Sequence, residues 1–314
     1  MIVREKSTSG GVFTELSREM FRRGGVVIAA GWAQSPFRVM HKVARKELDL
    51  EDMRGAKYAS SDMEAAWSEV KRAVENNVWC LFVGTPCQTA AVRKRFGTGN
   101  GRLLLCALFC HSVPEPDIWR KYIEELEEAA SGHLRAVQFR SKEHGGSWRK
   151  GMFVAEFRHG HEAIIEPLAG NVYADAFFMR LSTRASCLRC CFKNGKCSAD
   201  LMIGDFWGIE ESHPELDDGK GVNAVIVYTK TGEKFFSETK CWRQIVSYAD
   251  IVARNRYLEH SVTCDVELRR RFLSYCKIMT LKEAIEKVSH RPLWKRLLSV
   301  VGRIVCKARG RHGR

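Results

Sequence analysis

Long hydrophobic runs are scarce in this sequence of 314 residues. The longest apolar stretches, such as RLLLCALFC from Arg102, are far shorter than the roughly 20 residues that a membrane-spanning helix needs. The N-terminal segment MIVREKSTSGG lacks the apolar core of a signal peptide, and the chain has neither an internal repeat nor a low-complexity linker. We therefore expect a cytoplasmic protein, in which the twelve cysteines serve more often as thiols or metal ligands than as disulfides.

Negative charge is in short supply, since 37 Asp and Glu face 51 Lys and Arg and leave a formal net charge of +14. Most of the excess lies in 265–314, where 14 basic residues stand against 4 acidic ones. The end of this tail, RPLWKRLLSVVGRIVCKARGRHGR, is typical of a basic amphipathic helix that contacts an anionic membrane surface. A helix docked on the domain and a tail that meets an acidic partner are the alternatives. No nucleic acid partner is expected, because no recognisable nucleic-acid-binding module accompanies the charge.

Apolar segments that alternate with amphipathic ones predict the first half of the fold. Strands are predicted at 26–33, 37–44, 78–84 and 102–110, with helices at 12–23, 61–77, 86–96 and 117–132. Such alternation favours a parallel sheet covered on both faces, with 37–44 as a hairpin partner of the strand before it.

The second half of the chain has a different pattern. It becomes hairpin-like near residue 134, which predicts an antiparallel section, and 171–182 is a predicted helix. The segments 199–209 and 222–236 are predicted strands, and the chain beyond Tyr248 is predicted to be mainly helical. The expected fold class is α/β with α+β character in the second half: a mixed sheet flanked by helices, a cysteine-rich loop and a basic helical tail. We expect a catalytic domain over 1–248 and a helical extension over 249–314.

The cysteines are unevenly placed. The loop SCLRCCFKNGKC carries four of them within eleven residues, at positions 187, 190, 191 and 197. Two others, Cys87 and Cys110, each follow a predicted buried strand, and the carboxyl ends of parallel strands meet at one edge of a sheet. Six more occupy apolar or helical contexts and are predicted to be structural: Cys80, Cys106, Cys241, Cys264, Cys276 and Cys306.

Two kinds of metal site fit this arrangement. Cys87 and Cys110 together with Cys187 and Cys190 would supply the four thiolates of an iron–sulfur cluster. The C-x2-C-C-x5-C loop, which ends at Cys197, would instead hold a zinc ion by itself. Thiolates do not discriminate sharply between the two metals, so spacing alone leaves both interpretations open.

Several motifs together resemble one known family. STSGGVFTEL, RGAKYASSD, GTPCQTAAV, CHSVPEPDIW, QFRSK with a following SW, and CLRC followed by SADLMIGDFWG and DDGKGVNAVIV occur in the order seen in the coenzyme F420 hydrogenase/dehydrogenase beta-subunit family. The resemblance covers roughly residues 4 to 232. It implies an iron–sulfur flavoprotein with FAD and a [4Fe-4S] cluster, which passes electrons between them and a deazaflavin (coenzyme F420) or another acceptor. It also implies that Cys87, Cys110, Cys187 and Cys190 are the cluster ligands, with Cys197 as the substitute.

The sequence departs from this family in two ways that concern its partners. Many relatives begin with a ferredoxin-like segment, which is missing here, so we expect electrons to pass through a ferredoxin or another separate electron-transfer protein. The basic tail has no counterpart in the family's catalytic core. Two other interpretations remain: a zinc-knuckle binding protein, and a family scaffold that has lost its flavin and acts in polysaccharide-related metabolism.

Candidate cofactor contacts start at the first helix. Ser7, Thr8, Ser9, Gly10 and Gly11 precede it, and free N–H groups at a helix start suit the pyrophosphate of FAD, although an ordinary N-cap would give the same pattern. Lys57 and Tyr58 are candidates for a phosphate contact and a stacking contact, the alternative being a solvated lysine and a packed tyrosine.

Other candidates follow the later strands. Arg140 and Lys142 end a predicted strand and would hold flavin phosphates or an anionic acceptor, unless they are plain surface charges. Lys220 and Asn223, after GDFWG, are candidates for cofactor or substrate contact. His111 would hydrogen-bond a cluster sulfur or relay a proton, and a simple turn histidine is the alternative. Asp205, Phe206 and Trp207 are candidates to pack against the cysteine loop; the alternative for Asp205 is that it fixes a turn, and it is not assigned a catalytic role.

Overall fold

The computed structural model describes residues 2–34, 37–158 and 163–289. The predicted membrane-contacting helix at the C-terminus lies outside these residues. The strands are β1 (Val26–Gln34), β2 (Phe37–Ala44), β3 (Ser61–Asp62), β4 (Cys80–Gly84), β5 (Leu103–Leu108), β6 (Leu134–Ser141), β7 (Met152–Phe157), β8 (Ile164–Pro167), β9 (Leu201–Asp205) and β10 (Asn223–Val227). The α-helices are α1 (Ile2–Glu5), α2 (Val12–Arg22), α3 (Glu64–Glu75), α4 (Pro86–Phe96), α5 (Pro116–Ala130), α6 (Val172–Phe178), α7 (Ile209–Ser212), α8 (Lys230–Ser237), α9 (Tyr248–Arg254), α10 (Val266–Tyr275) and α11 (Leu281–Val288).

A seven-stranded mixed sheet forms the centre of the fold, with strand order β10-β9-β5-β4-β1-β2-β3. The four strands β1, β4, β5 and β9 run parallel to one another. The hairpin partner β2 and the edge strand β10 are antiparallel to their neighbours β1 and β9. The predicted α/β class and the predicted hairpin are therefore confirmed.

Alternating side chains of the central strands are buried on opposite faces of this sheet. On β4, Phe82 packs in the core beneath α3, with Val70 of that helix. The next residue towards the N-terminus, Leu81, packs on the other face with Leu16 of α2. Because successive strand residues point to opposite faces, a strand that is apolar throughout has to be covered on both sides.

A second, antiparallel sheet has the order β6-β7-β8 and packs beside the first. The antiparallel section predicted near residue 134 is confirmed. The register between β6 and β7 shifts between Gln138 and Ser141, so an irregularity interrupts β6 near its end. This irregularity aims Arg140 towards the large sheet, as described below.

The prediction of a strand over 222–236 is wrong in its second half. The strand β10 ends at Val227, and α8 follows it. Thr229 caps this helix, because its hydroxyl oxygen accepts a hydrogen bond from the backbone N–H of Gly232 at 3.0 Å. Phe235 on α8 is buried against the large sheet. The apolar residues of this segment thus follow the helical period, which the strand prediction did not consider.

The chain beyond Tyr248 is mainly helical as predicted, within the described residues. Helices α10 and α11 contribute Phe272 and Leu281 to the same hydrophobic core as Trp119 and Tyr173. The division at residue 248 stays a prediction. No helix in the described part of the chain is long and apolar enough to cross a membrane.

Candidate cofactor and cysteine site

The carboxyl ends of β4 and β5 bring the first two cysteines of interest to one sheet edge. The two strands pair in parallel, with Gly84 opposite Ala107. Cys87 lies in the first turn of α4, immediately after β4, and is exposed. Cys110 lies two residues beyond β5. The predicted proximity of these strand ends is therefore confirmed.

Backbone hydrogen bonds tie the cysteine loop to the segment that follows β5. The N–H of Arg184 donates to the carbonyl of Val113 at 2.9 Å, and the N–H of Glu115 donates to the carbonyl of Ser182 at 2.7 Å. On the other side of the loop, the N–H of Cys190 donates to the Ser261 hydroxyl at 3.0 Å. The loop is therefore held between two distant parts of the chain.

The electrostatics show that four thiols lie within interaction range of one another. Burial raises the pKa of Cys110 to about 12 and is the largest effect, while the Lys193 ammonium lowers it. Negative charge on Cys87, Cys187 and Cys190 raises it further. Burial and neighbouring negative charge likewise raise the pKa of Cys187, so the Cys110 and Cys187 thiols both resist ionisation.

Cys197 and Cys191 lie apart from this group. Cys197 is half-buried against the core that contains residues of β9 and α3, and burial raises its pKa, to which the negative charge of Asp200 adds. Cys191 is exposed. Across the described ranges, no three His, Cys, Asp or Glu side chains are gathered closely enough to hold a single metal ion.

A cavity of about 1300 Å³ opens beside Cys110 and His111. Most of the residues predicted from sequence to contact a cofactor line it: Ser7, Thr8, Ser9, Gly11, Lys57, Tyr58, Arg140 and Asn223. Its lining, drawn from the described residues, does not include Gly10, Lys142 or Lys220. Ligand cavities commonly measure about 300–1000 Å³, so this one has room for a dinucleotide or for two ligands.

Asn223 holds the lead-in to α2 against the large sheet. Its side-chain oxygen accepts a hydrogen bond from the N–H of Val12 at 3.1 Å, and its amide donates to the carbonyl of Gly204 at 3.0 Å. A Cβ on Gly10 would lie only 2.7 Å from the backbone nitrogen of Asn223, so this close approach needs glycine. Asn223 thus caps a helix that lies far from it in sequence.

Lys142 fixes the same lead-in from the side of the small sheet. Its ammonium donates to the carbonyl of Arg4 at 2.7 Å and to that of Lys220 at 2.9 Å. A weaker contact reaches the carbonyl of Ser9 at 3.4 Å. Lys142 therefore contacts Lys220 through the Lys220 backbone carbonyl. Neither lysine lines the cavity, and the hydrogen bonds of Lys142 hold the chain segment next to it.

Arg140 is directed into the site by the irregularity in β6. Its φ is +58°, in the left-handed region that side-chain-bearing residues rarely adopt. Its guanidinium forms a nearly buried ion pair with Asp205 and donates to the carbonyl of Trp148 at 2.8 Å. It also lies 5.0 Å from the ring centroid of Trp207. The strained backbone is retained where residues at the ends of β6 and β9 and in the segments after them converge.

Aromatic rings form another part of the wall. Tyr58 stacks on Phe177 with ring centroids 5.2 Å apart, and Phe178 meets it edge-on at 5.6 Å. Burial raises the pKa of Tyr58, so its hydroxyl stays protonated at neutral pH. The neighbouring Lys57 ammonium donates to the carbonyls of Met53 and Arg54 at 3.0 and 2.9 Å.

His111 lies where the cysteine group meets the cavity. Its ring meets Tyr257 edge-on with centroids 4.1 Å apart, and Nδ1 lies 3.1 Å from the Ser112 hydroxyl. Burial lowers its pKa to about 4, and the positive charges of Arg180 and Lys193 lower it further. The ring is therefore neutral at neutral pH.

Several residues of the site were not predicted from the sequence as ligands or contacts. Arg180 and Tyr257 line the cavity and hydrogen-bond each other at 2.5 Å, and Lys193 is buried beside Cys110. No local pattern distinguishes these three from ordinary surface residues. Asp205 and Trp207 also line the cavity. Their GDFWG motif was the signal that could have assigned them to the site.

The chain matches one protein family over most of its length. Residues 2–67 match the N-terminal domain of the coenzyme F420 hydrogenase/dehydrogenase beta subunit, and residues 79–247 match the C-terminal domain of the same protein. The second match alone spans more than half of the chain. The chain belongs to the coenzyme F420 hydrogenase/dehydrogenase beta-subunit family, which gives it an oxidoreductase-type role in electron transfer.

A solved structure supports the fold. The chain is similar to one in the xenon-derivatized F420-reducing [NiFe] hydrogenase complex from Methanosarcina barkeri, with a TM-score of 0.51 and 18% sequence identity. The match covers 87% of this chain and 89% of that one. No curated protein matches the sequence.

Proposed function

We propose that this protein is an iron–sulfur flavoprotein oxidoreductase. It passes electrons between a [4Fe-4S] cluster at Cys87, Cys110, Cys187 and Cys190 and an FAD in the large cavity. A deazaflavin such as coenzyme F420, or another acceptor, exchanges electrons with the flavin, and a separate electron-transfer protein such as a ferredoxin serves the cluster.

The position of Cys110 is the observation that carries this proposal. Its thiol interacts electrostatically with the other three cysteines, and the same residue lines the cavity together with His111. Cys110 would thus contact both a group bound by the four thiols and a ligand in the cavity. Such an arrangement serves transfer between two adjacent redox centres and has no evident use in a structural metal site.

The donor set fits an iron–sulfur cluster better than a zinc ion. Zinc draws its thiolates to about 2.3 Å from one point. No such gathering of three or more ligand side chains occurs in the described residues, and Cys197 packs against the core that contains residues of β9 and α3. A four-iron cluster binds each thiolate through a different iron and accommodates a wider spacing.

The cavity has the features that a flavin dinucleotide requires. The segment before α2 lines the cavity with the backbone and hydroxyl groups of Ser7, Thr8 and Gly11, which suit a phosphate. Tyr58 and Phe177 offer apolar ring surfaces for an aromatic ligand. A bound flavin would supply conversion between two-electron and one-electron carriers. The protein's part is to hold and orient it and to exclude water.

An anaerobic absorbance spectrum of the purified protein, with iron, sulfide and zinc assayed on the same sample, tests the proposal. We expect a broad shoulder near about 400 nm, about four irons and four sulfides per chain as in a single [4Fe-4S] cluster, and flavin released on heating. A colourless protein that carries one zinc and stays colourless after cluster reconstitution and FAD addition would refute it. A protein with a cluster that takes up no flavin would favour the flavin-free scaffold.

A further inference from the structure

Lys193 is a buried lysine inside an otherwise exposed loop. Its residue is 9% exposed, whereas the flanking Asn194, Gly195 and Lys196 are exposed. The ammonium donates to the carbonyl of Cys110 at 2.6 Å and to that of Tyr257 at 2.5 Å. These bonds join the cysteine loop to the segment after β5 and to the segment after α9.

The charge of this ammonium has no carboxylate to balance it. Across the described residues, no Asp or Glu forms an ion pair with Lys193, although ion pairs are frequent elsewhere on the chain. A buried, unpaired cation is costly, and two neutral carbonyls offset only part of that cost. Cys110, whose carbonyl accepts one of its hydrogen bonds, belongs to the group of four cysteines that would bring negative charge on binding a cluster.

The neighbouring cations make this region more positive still. Arg180 hydrogen-bonds the Tyr257 hydroxyl at 2.5 Å, the Arg256 guanidinium lies 5.2 Å from the centroid of the same ring, and that ring meets His111 edge-on. Arg184 lies at the start of the cysteine loop, where its carbonyl accepts a hydrogen bond from the Cys187 N–H at 3.0 Å. Within the part of the chain that the structure describes, none of these three arginines forms an ion pair with a carboxylate. The region thus has the charge balance of a site prepared for an anionic group.

We propose that Lys193 is a positioning residue whose fixed positive charge stabilises the reduced, more negative state of the cluster and raises its reduction potential. This inference rests on the proposed function. A cluster with four thiolates becomes one unit more negative on accepting an electron, and net charge and local environment help set its potential. A buried charge acts through a low dielectric, so its effect is larger than that of an exposed lysine.

The full-length protein with a reconstituted cluster provides the test. Lys193→Gln keeps a hydrogen-bond donor and removes the charge, and Lys193→Arg keeps the charge. Lys196→Gln removes an exposed lysine from the same loop and is the matched control. The measurement is the midpoint potential from a redox titration followed by electron paramagnetic resonance.

We expect Lys193→Gln to lower the equilibrium constant for cluster reduction at least about tenfold, equal to 59 mV for one electron. Lys193→Arg and Lys196→Gln should each shift the midpoint potential by less than half of the roughly 59 mV expected for Lys193→Gln. An unchanged potential in Lys193→Gln with a full complement of iron would overturn the inference and leave the proposed function intact. A wild-type protein that takes up no cluster would overturn both.

Thermal unfolding separates this role from plain structural support and decides the matter if Lys193→Gln holds the cluster poorly. Without the cluster, the buried charge is uncompensated, so Lys193→Gln should unfold at a temperature equal to or above that of the wild type. With the cluster, the wild type should gain more stability than the variant, because the cluster binds more tightly when the charge is present. If Lys193→Gln lowered the unfolding temperature equally with and without the cluster, this result would contradict the inference.

Discussion

The indole rings of Trp148 and Trp207 stack with centroids 5.0 Å apart and planes inclined by 17°. The first follows the small sheet's β6 and the second follows β9 of the large sheet, so the stack joins the two sheets. Arg149 extends it on one side, 4.4 Å above Trp148, and Arg140 on the other. The guanidinium groups stabilise the stacked rings, and Trp207 and both arginines line the cavity.

Removal of the Trp148 ring, the more deeply buried ring of this stack, should destabilise the fold. Trp148 is 2% exposed, so Trp148→Ala leaves a large cavity, and we expect a loss of about 3–5 kcal/mol in the free energy of unfolding. Urea unfolding measures this loss. Trp242→Ala is the control, because Trp242 is 74% exposed and its removal should change stability by no more than about 0.5 kcal/mol. A small effect of Trp148→Ala would show that the two sheets are held together elsewhere.

The division of the cysteines predicts opposite outcomes for two single substitutions. Cys87→Ala removes one of the four grouped thiols and should reduce the iron and sulfide content of the reconstituted protein to less than half of the wild-type value. Cys197→Ala alters a thiol that packs against the core of the large sheet and should retain the full content. Iron and sulfide assays with the absorbance spectrum decide between them. The reverse result would show that Cys197 is the fourth ligand.

The ion pair between Arg140 and Asp205 should contribute strongly to stability. Their side chains are only 10% and 13% exposed, and Arg140→Ala leaves the carboxylate buried without its cation. We expect a loss of about 3 kcal/mol in the free energy of unfolding, measured in urea. In the exposed pair of Arg120 with Asp117, Arg120→Ala should cost less than about 1 kcal/mol. Similar losses in the two variants would argue against a special role for Arg140.

Lys57 should make stability depend on pH. Burial lowers its pKa to about 7, whereas the nearby Asp52 raises it to a smaller extent. In the unfolded chain a lysine has a pKa of about 10.4. Between these values the unfolded state binds more protons, so this residue makes stability rise with pH above about 7 and adds no pH dependence below it.

The comparison of wild type with Lys57→Met isolates this contribution. The unfolding temperature of the wild type, relative to that of the variant, should increase steadily from pH 7 to pH 9. Lys71→Met, at an exposed lysine of α3, should give a curve parallel to that of the wild type. Parallel curves for Lys57→Met as well would mean that hydrogen bonds to the Met53 and Arg54 carbonyls keep the ammonium charged.

Local patterns predicted the parts of the site that depend on strand ends. Cys87 and Cys110 follow apolar runs, and the geometry of parallel strands then requires that they meet. The helix α8 was predicted as a strand, because Phe235 and Phe236 continue an apolar pattern and the cap at Thr229 was overlooked. Lys193 could not be predicted, since its burial depends on contacts with Cys110 and Tyr257, far away in the sequence.

The helices after residue 248 reach back to the cysteine loop. Arg269 of α10 donates to the carbonyl of Thr183 at 2.6 Å and pairs with Glu115, and Ser261 accepts the N–H of Cys190. Arg269 and Ser261 lie beyond 79–247, the range that matches the C-terminal domain of the family. The cysteine loop is therefore supported partly by residues outside the matched ranges, so its surroundings depend on a segment that the family match does not include.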